Sequence, residues 1–240
     1  MPVAPPRTGC GQQLATMMVI CSGNPIMTSP QPPIKTAKPA PPGAWIFFRQ
    51  WLRNPLGIAA FSPSGRQLAR QMIAELPPGA TRVVELGGGT GVFTRAMIEH
   101  GIAPRDLLVL ELNDELYAHL CDRFPQAHVV HGNACDLKAI AERDGFLADG
   151  LADAAISGLG LLSMSRALQR SILQSAFSVL KPGGRLIQFT YGPSSPVGRE
   201  LLTELGLQVR RGGFALWNVP PAAVYVYTRN RSEAIRAQRA

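Results

Sequence analysis

The feature that most constrains this chain is the segment VVELGGGTG at residues 83–91, which ends in four glycines broken only by Thr90. Because glycine has no Cβ, it adopts positive φ and lets a ligand lie directly against the main chain. A glycine cluster at the carboxyl end of a buried strand is typical of the crevice where open α/β sheets bind cofactors. The segment therefore predicts an α/β fold with a cofactor site at this strand end.

The spacing of the glycines decides which cofactor is expected. In the two registers of the dinucleotide fingerprint G-x-G-x-x-G/A, the third small residue falls on Val92 or Thr94, so the fingerprint does not fit. The pattern E-x-G-x-G-x-G fits instead and resembles the first motif of class I S-adenosylmethionine-dependent methyltransferases. Its four residues here are Glu85, Gly87, Gly89 and Gly91. The resemblance implies S-adenosylmethionine as the cofactor.

An acid at the end of the next predicted strand supports this interpretation. Residues 107–112 (LLVLEL) form an apolar strand, and Glu111 lies where such an acid reaches the ribose hydroxyls of a bound nucleoside. Helix capping is the alternative role for Glu111, but Asn113 and Asp114 supply better caps for the helix predicted to follow. We therefore expect Glu111 and the adjacent Leu112 to contact the cofactor.

Two further strand ends extend the predicted site. A strand over 128–131 leads to Asn133 and Ala134, at a corner where methyltransferases typically carry an acid that contacts the adenine amino group. The amide oxygen of Asn133 can accept the same hydrogen bond. A strand over 153–157 ends in Ser157, just before the GLGLL segment, in the place where methyltransferases have residues that face the acceptor. The resemblance places Asn133, Ala134 and Ser157 in the cofactor site.

Composition favours a single catalytic domain, which we place at residues 77–229. With 240 residues and 46% hydrophobic content, the chain can bury one good core. Its four cysteines have neither C-x-x-C nor metal-ligand spacing, which favours free thiols in a reducing cytoplasm. His128 and His131 are expected on opposite faces of a strand, which argues against a shared metal ion.

The net charge of +8 is unevenly distributed along the chain. Residues 1–74 hold seven basic residues and no acid, residues 75–204 hold eleven basic and fifteen acidic residues, and residues 205–240 hold six arginines and one glutamate. Basic terminal segments favour contact with an anionic surface, either nucleic acid or an acidic membrane leaflet. Charge alone leaves both partners open.

The segment WIFFRQWLRN at residues 45–54 favours the membrane. As a helix it has one aromatic and aliphatic face and one basic and polar face, and tryptophan prefers the headgroup level of a bilayer. Each basic residue near an anionic leaflet contributes about 1 kcal/mol, enough in sum for reversible adsorption. The alternative is that the apolar face packs on the sheet as a core helix. The expected membrane and substrate contacts are Trp45, Phe48, Arg49, Trp51 and Arg53.

The flanking segments are predicted to have simpler roles. Residues 1–43 are rich in proline and aperiodic, so we expect a disordered leader, within which Met27 is an alternative start. Residues 230–240 form a basic tail. The N-terminal region 44–76 holds the amphipathic helix and a lid. No segment approaches the ~20 apolar residues of a spanning helix.

The lid is predicted at FSPSG, residues 61–65, where a loop ahead of the sheet can fold over the cofactor. Ser62 and Ser64 are therefore candidate substrate-side residues. Ser64 and Gln67 also form a capping box, which predicts a helix that starts after Ser64 and ends near Leu76.

Later segments narrow the resemblance. FFRQWLRNP, SPSG, ELGGGTG, ISGLGLL, QFTYGP and WNVPPAAVYVY together resemble the bacterial phospholipid N-methyltransferases of the peripherally membrane-bound type. The resemblance covers about residues 45–228, and QFTYGP and WNVPP are its more discriminating motifs. Gly160, where the family favours proline, and Asn133 depart from the pattern.

The resemblance implies a fold and an activity. The fold is α/β, a Rossmann-like class I methyltransferase with a seven-stranded, mostly parallel sheet, helices on both faces and an antiparallel last strand. The activity is S-adenosylmethionine-dependent N-methylation of the phosphatidylethanolamine headgroup, stepwise toward phosphatidylcholine. The expected partners are the phospholipid substrate and an anionic membrane surface, on the inner face of the cell membrane in the cytoplasm, with no nucleic acid and no metal.

Tyr191, in the QFTYGP motif, is the expected catalytic residue. The headgroup nitrogen attacks the sulfonium methyl in line, so the enzyme mainly positions two partners and excludes water. The hydroxyl of Tyr191 would orient the amine, and its ring would hold the methylated, cationic nitrogen by cation-π attraction. Packing of Tyr191 in the core is the alternative.

Two other functions fit parts of the sequence. An RNA methyltransferase that acts on rRNA adenine suits the basic ends, but the chain lacks the N/D-P-P-Y/F motif expected for amino-group methylation of bases. A non-enzymatic cofactor-binding or assembly protein would use the same fold to present its basic surface.

Overall fold

A computed structural model describes residues 63–216 and 221–230. The predicted leader and the amphipathic segment at 45–54 lie outside the described residues, as do Ser62, the tail beyond Asn230 and the first four residues of the WNVPP motif. The predictions that concern these segments remain predictions.

The described chain alternates strands and helices along most of its length. The strands are β1 (Val83–Leu86), β2 (Leu107–Glu111), β3 (His128–His131), β4 (Ala152–Ser157), β5 (Leu180–Thr190), β6 (Leu207–Ala215) and β7 (Ala222–Arg229). The helices are α1 (Pro63–Ile73), α2 (Val92–His100), α3 (Asp114–Arg123), α4 (Leu137–Arg143), α5 (Arg166–Ser178) and α6 (Arg199–Glu204). Short 3-10 turns join several of them.

The strands form one seven-stranded sheet in the order β3-β2-β1-β4-β5-β7-β6. Strands β1 to β5 pair in parallel, and β7 pairs antiparallel with both β5 and β6. The predicted fold class is therefore confirmed, including the antiparallel last strand. Since β1 to β6 point the same way, their carboxyl ends meet at one edge of the sheet, with the glycine segment at its centre.

Each face of the sheet carries its own apolar layer, because successive side chains of a strand point to opposite faces. Val84 and Leu86 of β1 join the layer that contains α4 and α5, and Val83 joins the layer that contains α1, α2 and α3. Most aliphatic side chains of both layers are fully buried. The helices on both faces therefore hold the strand ends in fixed positions.

The sequence predicts a helix over 166–180 and, after the KPGG turn at 181–184, a fifth strand over 185–190, and two of these boundaries were wrong. The fifth strand was expected to begin at Arg185, but Leu180 already pairs with Ala152, and pairing resumes at Arg185 after a bulge. Within this bulge Gly183 has a φ of 80°, as the predicted turn requires. The helix expected to continue to Leu180 ends at Ser178, because the chain turns there to enter β5.

The start and end of α1 also differ from the capping-box prediction. Pro63, the first described residue, is already helical, so Ser64 lies inside the helix and not ahead of it. Proline suits the first turn of a helix because its φ is already fixed and its missing N–H has no partner to lose there. The helix ends at Ile73 instead of Leu76, and the main-chain oxygens of Glu75 and Leu76 accept hydrogen bonds from Arg185.

Helix α1 packs closely on β6 because the strand has two glycines there. Gly212 and Gly213 form a break in the β6–β7 register, and a Cβ added to Gly212 would lie 2.6 Å from a carboxylate oxygen of Glu75. A Cβ on Gly213 would collide with Gln71. These contacts orient α1 antiparallel to β6, so its Pro63 end lies at the carboxyl edge of the sheet.

Candidate active site

The glycine loop, residues 87–91, connects β1 to α2 at the centre of the carboxyl edge. Gly87, Gly89 and Gly91 have φ values of 76°, 55° and 76°, which L side chains rarely adopt. The amides of Gly87 and Gly88 both donate to the main-chain oxygen of Leu110, at 2.8 and 3.2 Å. The loop is thus tied to the end of β2.

Close packing against α3 adds a second reason for two of these glycines. A Cβ on Gly88 would lie 2.5 Å from Val109 and 2.8 Å from Leu120, and a Cβ on Gly91 would overlap the ring of Phe124. Ligand approach alone therefore does not explain the whole cluster. Gly88 and Gly91 let the loop pack on the protein.

Glu111 organises the loop through its carboxylate. One oxygen accepts from the amide of Gly89 at 2.8 Å, and the other accepts from the amides of Leu112 and Asn113, both at 2.9 Å. A carboxylate has about four acceptor positions, so one position on the Gly89 side remains for a ligand hydroxyl. Asn113, and not Glu111, caps α3 by accepting from the amide of Leu116, as the sequence predicts.

The other residues expected at the adenine side lie on the same edge. The side chain of Leu112 is 63% exposed directly after β2, an unusual position for a leucine beside a cluster of buried residues. Asn133 is exposed after β3, and its side-chain oxygen accepts from the amide of Cys135 at 3.0 Å. Ala134 is buried beneath it. The amide oxygen of Asn133 thus already has one local partner, and one lone pair remains.

Glu85 is a fully buried acid below the glycine loop. Thr94 of α2 donates its hydroxyl to one carboxylate oxygen at 2.5 Å, and the other oxygen has no hydrogen-bond partner among the described residues. Burial raises the pKa of Glu85 to about 8, against the hydrogen bond from Thr94, which lowers it, and the nearby Glu111 raises the pKa further. The sequence did not predict Thr94 as a partner, although a threonine in the first turn of the helix after the motif was a signal.

Ser157 ends β4 between the glycine loop and β5. Its hydroxyl oxygen accepts from the amide of Leu159 at 3.3 Å, inside the post-β4 loop at residues 158–164. A Cβ on Gly158 would lie 2.7 Å from the main-chain oxygen of Gly87, so only glycine lets the two loops approach this closely. The cofactor half and the predicted acceptor half are therefore in direct contact.

Tyr191 follows β5 in an aromatic row at this edge. The ring centroids of Phe93 and Phe189 are 5.9 Å apart, and those of Phe189 and Tyr191 are 5.4 Å apart in an edge-to-face arrangement. Phe93 comes from the first turn of α2 and also approaches Gly158. Tyr191 is half-buried: one part of its side chain packs against the apolar layer, and another part is exposed. Its role in catalysis remains a prediction.

Gln188, in the same QFTYGP motif, was not predicted as a site residue. It is fully buried on β5, and its side-chain amide nitrogen donates to the main-chain oxygen of Leu159 at 2.8 Å. Its side-chain oxygen has no partner among the described residues. A glutamine inside an otherwise apolar strand was the available signal.

These features fit a positively charged nucleoside. The remaining acceptor position of Glu111 would suit a ribose hydroxyl. The oxygen of Glu85 that has no partner among the described residues would suit a cationic group, and the exposed Leu112 would suit a base. In contrast, no group of three or more His, Cys, Asp or Glu residues in the described part of the chain could hold a metal ion. Cys121 and Cys135 are free thiols, as expected.

Comparisons with known proteins define the class. A family model described as "Methyltransferase domain" matches residues 83–184. The ornithine lipid N-methyltransferase of Singulisphaera acidiphila is 31% identical over 153 residues, which cover 62% of this chain and 78% of the relative. The chain therefore is a class I S-adenosylmethionine-dependent methyltransferase, and S-adenosylmethionine is its cofactor. It belongs to the same family as this bacterial relative. Because the chain is a methyltransferase, the non-enzymatic alternative is excluded.

Solved structures support the fold. A glycopeptide N-methyltransferase complexed with S-adenosylmethionine has a TM-score of 0.53 and 16% identity, and the match covers 73% of this chain and 98% of that one. Magnesium protoporphyrin IX methyltransferase from Synechocystis PCC 6803 has a TM-score of 0.53 and 13% identity, covering 80% of this chain and 100% of that one. At these identities the likeness concerns architecture alone.

Proposed function

We propose that this enzyme methylates the amino headgroup of phosphatidylethanolamine, stepwise toward phosphatidylcholine, at a membrane surface. The observation that carries the proposal is the relative named as a lipid N-methyltransferase. That name also makes an ornithine lipid the second candidate acceptor. An amine on a lipid is the chemistry that both candidates share.

An apolar and basic surface beside the site supports a lipid acceptor. We call it the acceptor rim, and it consists of four exposed residues: Leu162, Arg211, Phe214 and Leu216. The guanidinium of Arg211 lies 5.3 Å from the ring centroid of Phe214, and no described carboxylate lies within ion-pair distance of Arg211. Exposed aromatic and aliphatic groups next to a cation suit the interface of an anionic bilayer.

The acceptor rim is continuous with the site through named contacts. Leu162 lies beside Gly192, where an added Cβ would be 3.3 Å away, and the hydroxyl of Tyr225 donates to the main-chain oxygen of Pro193 at 3.4 Å. Tyr225 in turn pairs with Arg211 across the β6–β7 ladder. A lipid held at the rim would therefore reach the site from the side of the post-β4 loop and of the post-β5 loop, residues 191–198.

The orientation of α1 supports a contribution from the segment at 45–54. Gly65 lies near Val92, where an added Cβ would be 3.8 Å from its side chain, so the chain enters the described domain at the carboxyl edge. The amphipathic sequence precedes this point by about ten residues. We propose that it adsorbs to the same membrane surface that the acceptor rim faces. No helix among the described residues is long and apolar enough to cross a membrane.

The chemistry requires positioning more than a covalent partner. When bound, S-adenosylmethionine supplies a methyl group activated by a sulfonium. We propose that Glu111 and Leu112 hold the nucleoside, that Asn133, Ala134 and Ser157 line its surroundings, and that Glu85 faces its cationic end. Tyr191 would orient the unprotonated amine and, with its ring, accommodate the methylated nitrogen.

The test is methyl transfer from labelled S-adenosylmethionine to lipid vesicles. Full-length protein is incubated with vesicles of phosphatidylethanolamine, ornithine lipid or phosphatidylcholine in an anionic lipid background, and in parallel with total RNA. We expect vesicles that contain phosphatidylethanolamine to yield labelled mono- and dimethyl derivatives and labelled phosphatidylcholine. Vesicles that contain only phosphatidylcholine and the anionic lipid should take up no label, because the quaternary nitrogen of phosphatidylcholine has no lone pair. Label only in ornithine lipid would select the second acceptor, and label only in RNA would overturn the lipid proposal.

A further inference from the structure

A second buried glutamine, Gln169 on α5, lies beneath the two loops of the acceptor side. Its side-chain amide nitrogen donates to the main-chain oxygen of Leu161 at 2.7 Å, within the post-β4 loop. The same nitrogen approaches the main-chain oxygen of Met164 at 3.5 Å and that of Pro196 at 3.3 Å. Pro196 belongs to the post-β5 loop, residues 191–198, so one amide group contacts both loops.

The two loops carry the acceptor-side residues of the proposed site. The post-β4 loop contains Leu162 of the acceptor rim, and the post-β5 loop begins at Tyr191. Leu162 is 48% exposed, and it lies between the two residues of its loop whose carbonyls the amide approaches. Fixing the carbonyls of Leu161 and Met164 therefore fixes the direction in which Leu162 projects.

Gln169 itself cannot contact the methyl acceptor. Its side chain is buried, and its amide hydrogens point to main-chain oxygens. Without Gln169, these oxygens would lack this donor at a buried position. A buried carbonyl that loses its donor costs about 1–3 kcal/mol. The hydrogen bonds of this one amide group therefore stabilise the two loops at the separation that the amide can span.

We propose that Gln169 is a positioning residue that holds the post-β4 and post-β5 loops together and thereby sets the affinity for the acceptor. It acts through Leu162 and the start of the post-β5 loop, and it leaves the cofactor half of the site unchanged. The inference rests on the proposed function in one respect, the entry of the acceptor between these two loops. The positioning role holds for any acceptor that enters between these loops.

The test compares three full-length variants. Gln169→Met keeps the length of the side chain and removes the donor, and Gln169→Asn keeps an amide that is one methylene too short. Ser175→Ala is the matched control, because Ser175 is a buried polar residue of the same helix whose hydroxyl oxygen accepts from the amide of Lys138, away from both loops. KM for phosphatidylethanolamine and for S-adenosylmethionine is measured for each.

We expect KM for the lipid to rise about tenfold in Gln169→Met, which corresponds to one lost buried hydrogen bond, and less in Gln169→Asn. KM for S-adenosylmethionine should stay within about twofold of wild type, and Ser175→Ala should change neither constant. A variant that is less stable but keeps both KM values would overturn the proposal, since that result describes a purely structural glutamine.

Hydrogen exchange separates this proposal from the proposed function. If the wild type methylates neither lipid, the proposed function fails, but the positioning role remains testable without activity. Amides of the post-β4 and post-β5 loops should exchange about tenfold faster in Gln169→Met, or in Gln169→Asn if the first variant does not fold. Unchanged exchange in both loops, or an equal increase throughout α5 in Ser175→Ala, would contradict it.

Discussion

The two ends of the parallel sheet carry acids of opposite character, half-buried Asp153 and fully buried Glu85. At the amino end, one carboxylate oxygen of Asp153 accepts from the amides of Thr81 and Arg82, both at 2.9 Å, and the other accepts from the ammonium of Lys181 at 2.7 Å. At the carboxyl end, Glu85 has one donor, Thr94, and one oxygen without a partner among the described residues. The protein satisfies both oxygens of the first acid, whereas it provides a donor for only one oxygen of the second.

The pKa values of these two acids reflect the difference. For Asp153, burial acts to raise the pKa, but the hydrogen bonds from Arg82, Lys181 and Thr81 outweigh it and lower the value below the ordinary range. For Glu85, burial dominates and raises the pKa to about 8, because a single hydroxyl donor offsets little of the desolvation. The acid at the amino end is therefore stabilised in its charged form, and the acid at the carboxyl end retains the cost of desolvation.

Arg82 continues the contrast at the amino end. Its guanidinium lies 3.2 Å from Asp106 and 4.4 Å from the ring centroid of Phe146, and it donates to the main-chain oxygen of that phenylalanine. Only its Nε lacks a partner among the described residues. Arg82 and Asp153 are thus both used within the fold, and they hold the start of β1 in place.

The largest expected effect concerns Glu85 and pH. Its folded-state pKa is raised, so the folded state keeps a proton that the unfolded state releases, and stability is lost as pH rises from about 5 to 8 at roughly 1 kcal/mol per unit. Glu85→Gln keeps the acceptor for Thr94 and removes this loss. Urea unfolding of cofactor-free protein at pH 5, 6.5 and 8 measures it.

Parallel pH profiles for the wild type and Glu85→Gln would contradict the raised pKa of this carboxyl. Glu99→Gln is the matched control, because Glu99 is an exposed acid near the end of the same helix that carries Thr94. It should leave the pH profile of the wild type unchanged. A difference seen with both variants would indicate a general charge effect instead of a buried acid.

The next effect concerns Glu111, which we propose as the ribose partner. Glu111→Gln should lower the affinity for S-adenosylmethionine about 100-fold, because the charged acceptor is lost and one of the three amide donors loses its partner. Isothermal titration measures the affinity, and Glu115→Gln on the exposed surface of α3 is the control. An unchanged affinity would show that Glu111 only organises the glycine loop.

The third prediction concerns Asp153, at the amino end of the sheet. Asp153→Asn should destabilise the protein by about 2 kcal/mol at pH 7, since it weakens the charged hydrogen bonds to Thr81 and Arg82 and removes the pairing with Lys181. Because the folded-state pKa is lowered, this stability is present above the ordinary value of 3.8 and is lost as pH falls through the folded-state value.

The wild type and Asp153→Asn should therefore converge at acid pH in urea unfolding experiments. Methyl transfer per folded molecule should stay at the wild-type level, because the amino end of the sheet carries no proposed site residue. A loss of activity without a loss of stability would break the division between the two ends.

The sequence predicts the strands well where one short apolar run corresponds to one strand. LLVLEL and DAAIS gave β2 and β4 to within one residue, because both are buried and both end at a polar or acidic residue. The start of β5 was not predictable in this way. Leu180 pairs with Ala152 across a bulge, and that pairing depends on how β4 and the bulge meet in space.

The site was predictable to the extent that its residues lie in one motif or directly after a strand. Glu85, Glu111 and Ser157 were found for this reason, and all three lie at the carboxyl edge. The hydrogen bonds from Thr94 to Glu85 and from Gln169 to Pro196 were not predicted. The second joins residues that are 27 positions apart, and no periodicity in the sequence relates them. Such contacts depend on packing in three dimensions.

The smallest effect concerns Tyr191, within the carboxyl end itself. The proposed cofactor half includes the charged groups of Glu85 and Glu111, whereas the proposed acceptor half next to Phe189 is aromatic. Removal of one hydroxyl should therefore matter little for binding and more for orientation. Tyr191→Phe should lower kcat about three- to tenfold on the first methylation, in line with one hydrogen bond. The later steps should change less, because the ring that remains still attracts a cationic nitrogen. Rates for phosphatidylethanolamine and its mono- and dimethyl derivatives measure this, and equal rates for wild type and variant on all three would leave Tyr191 as a core residue.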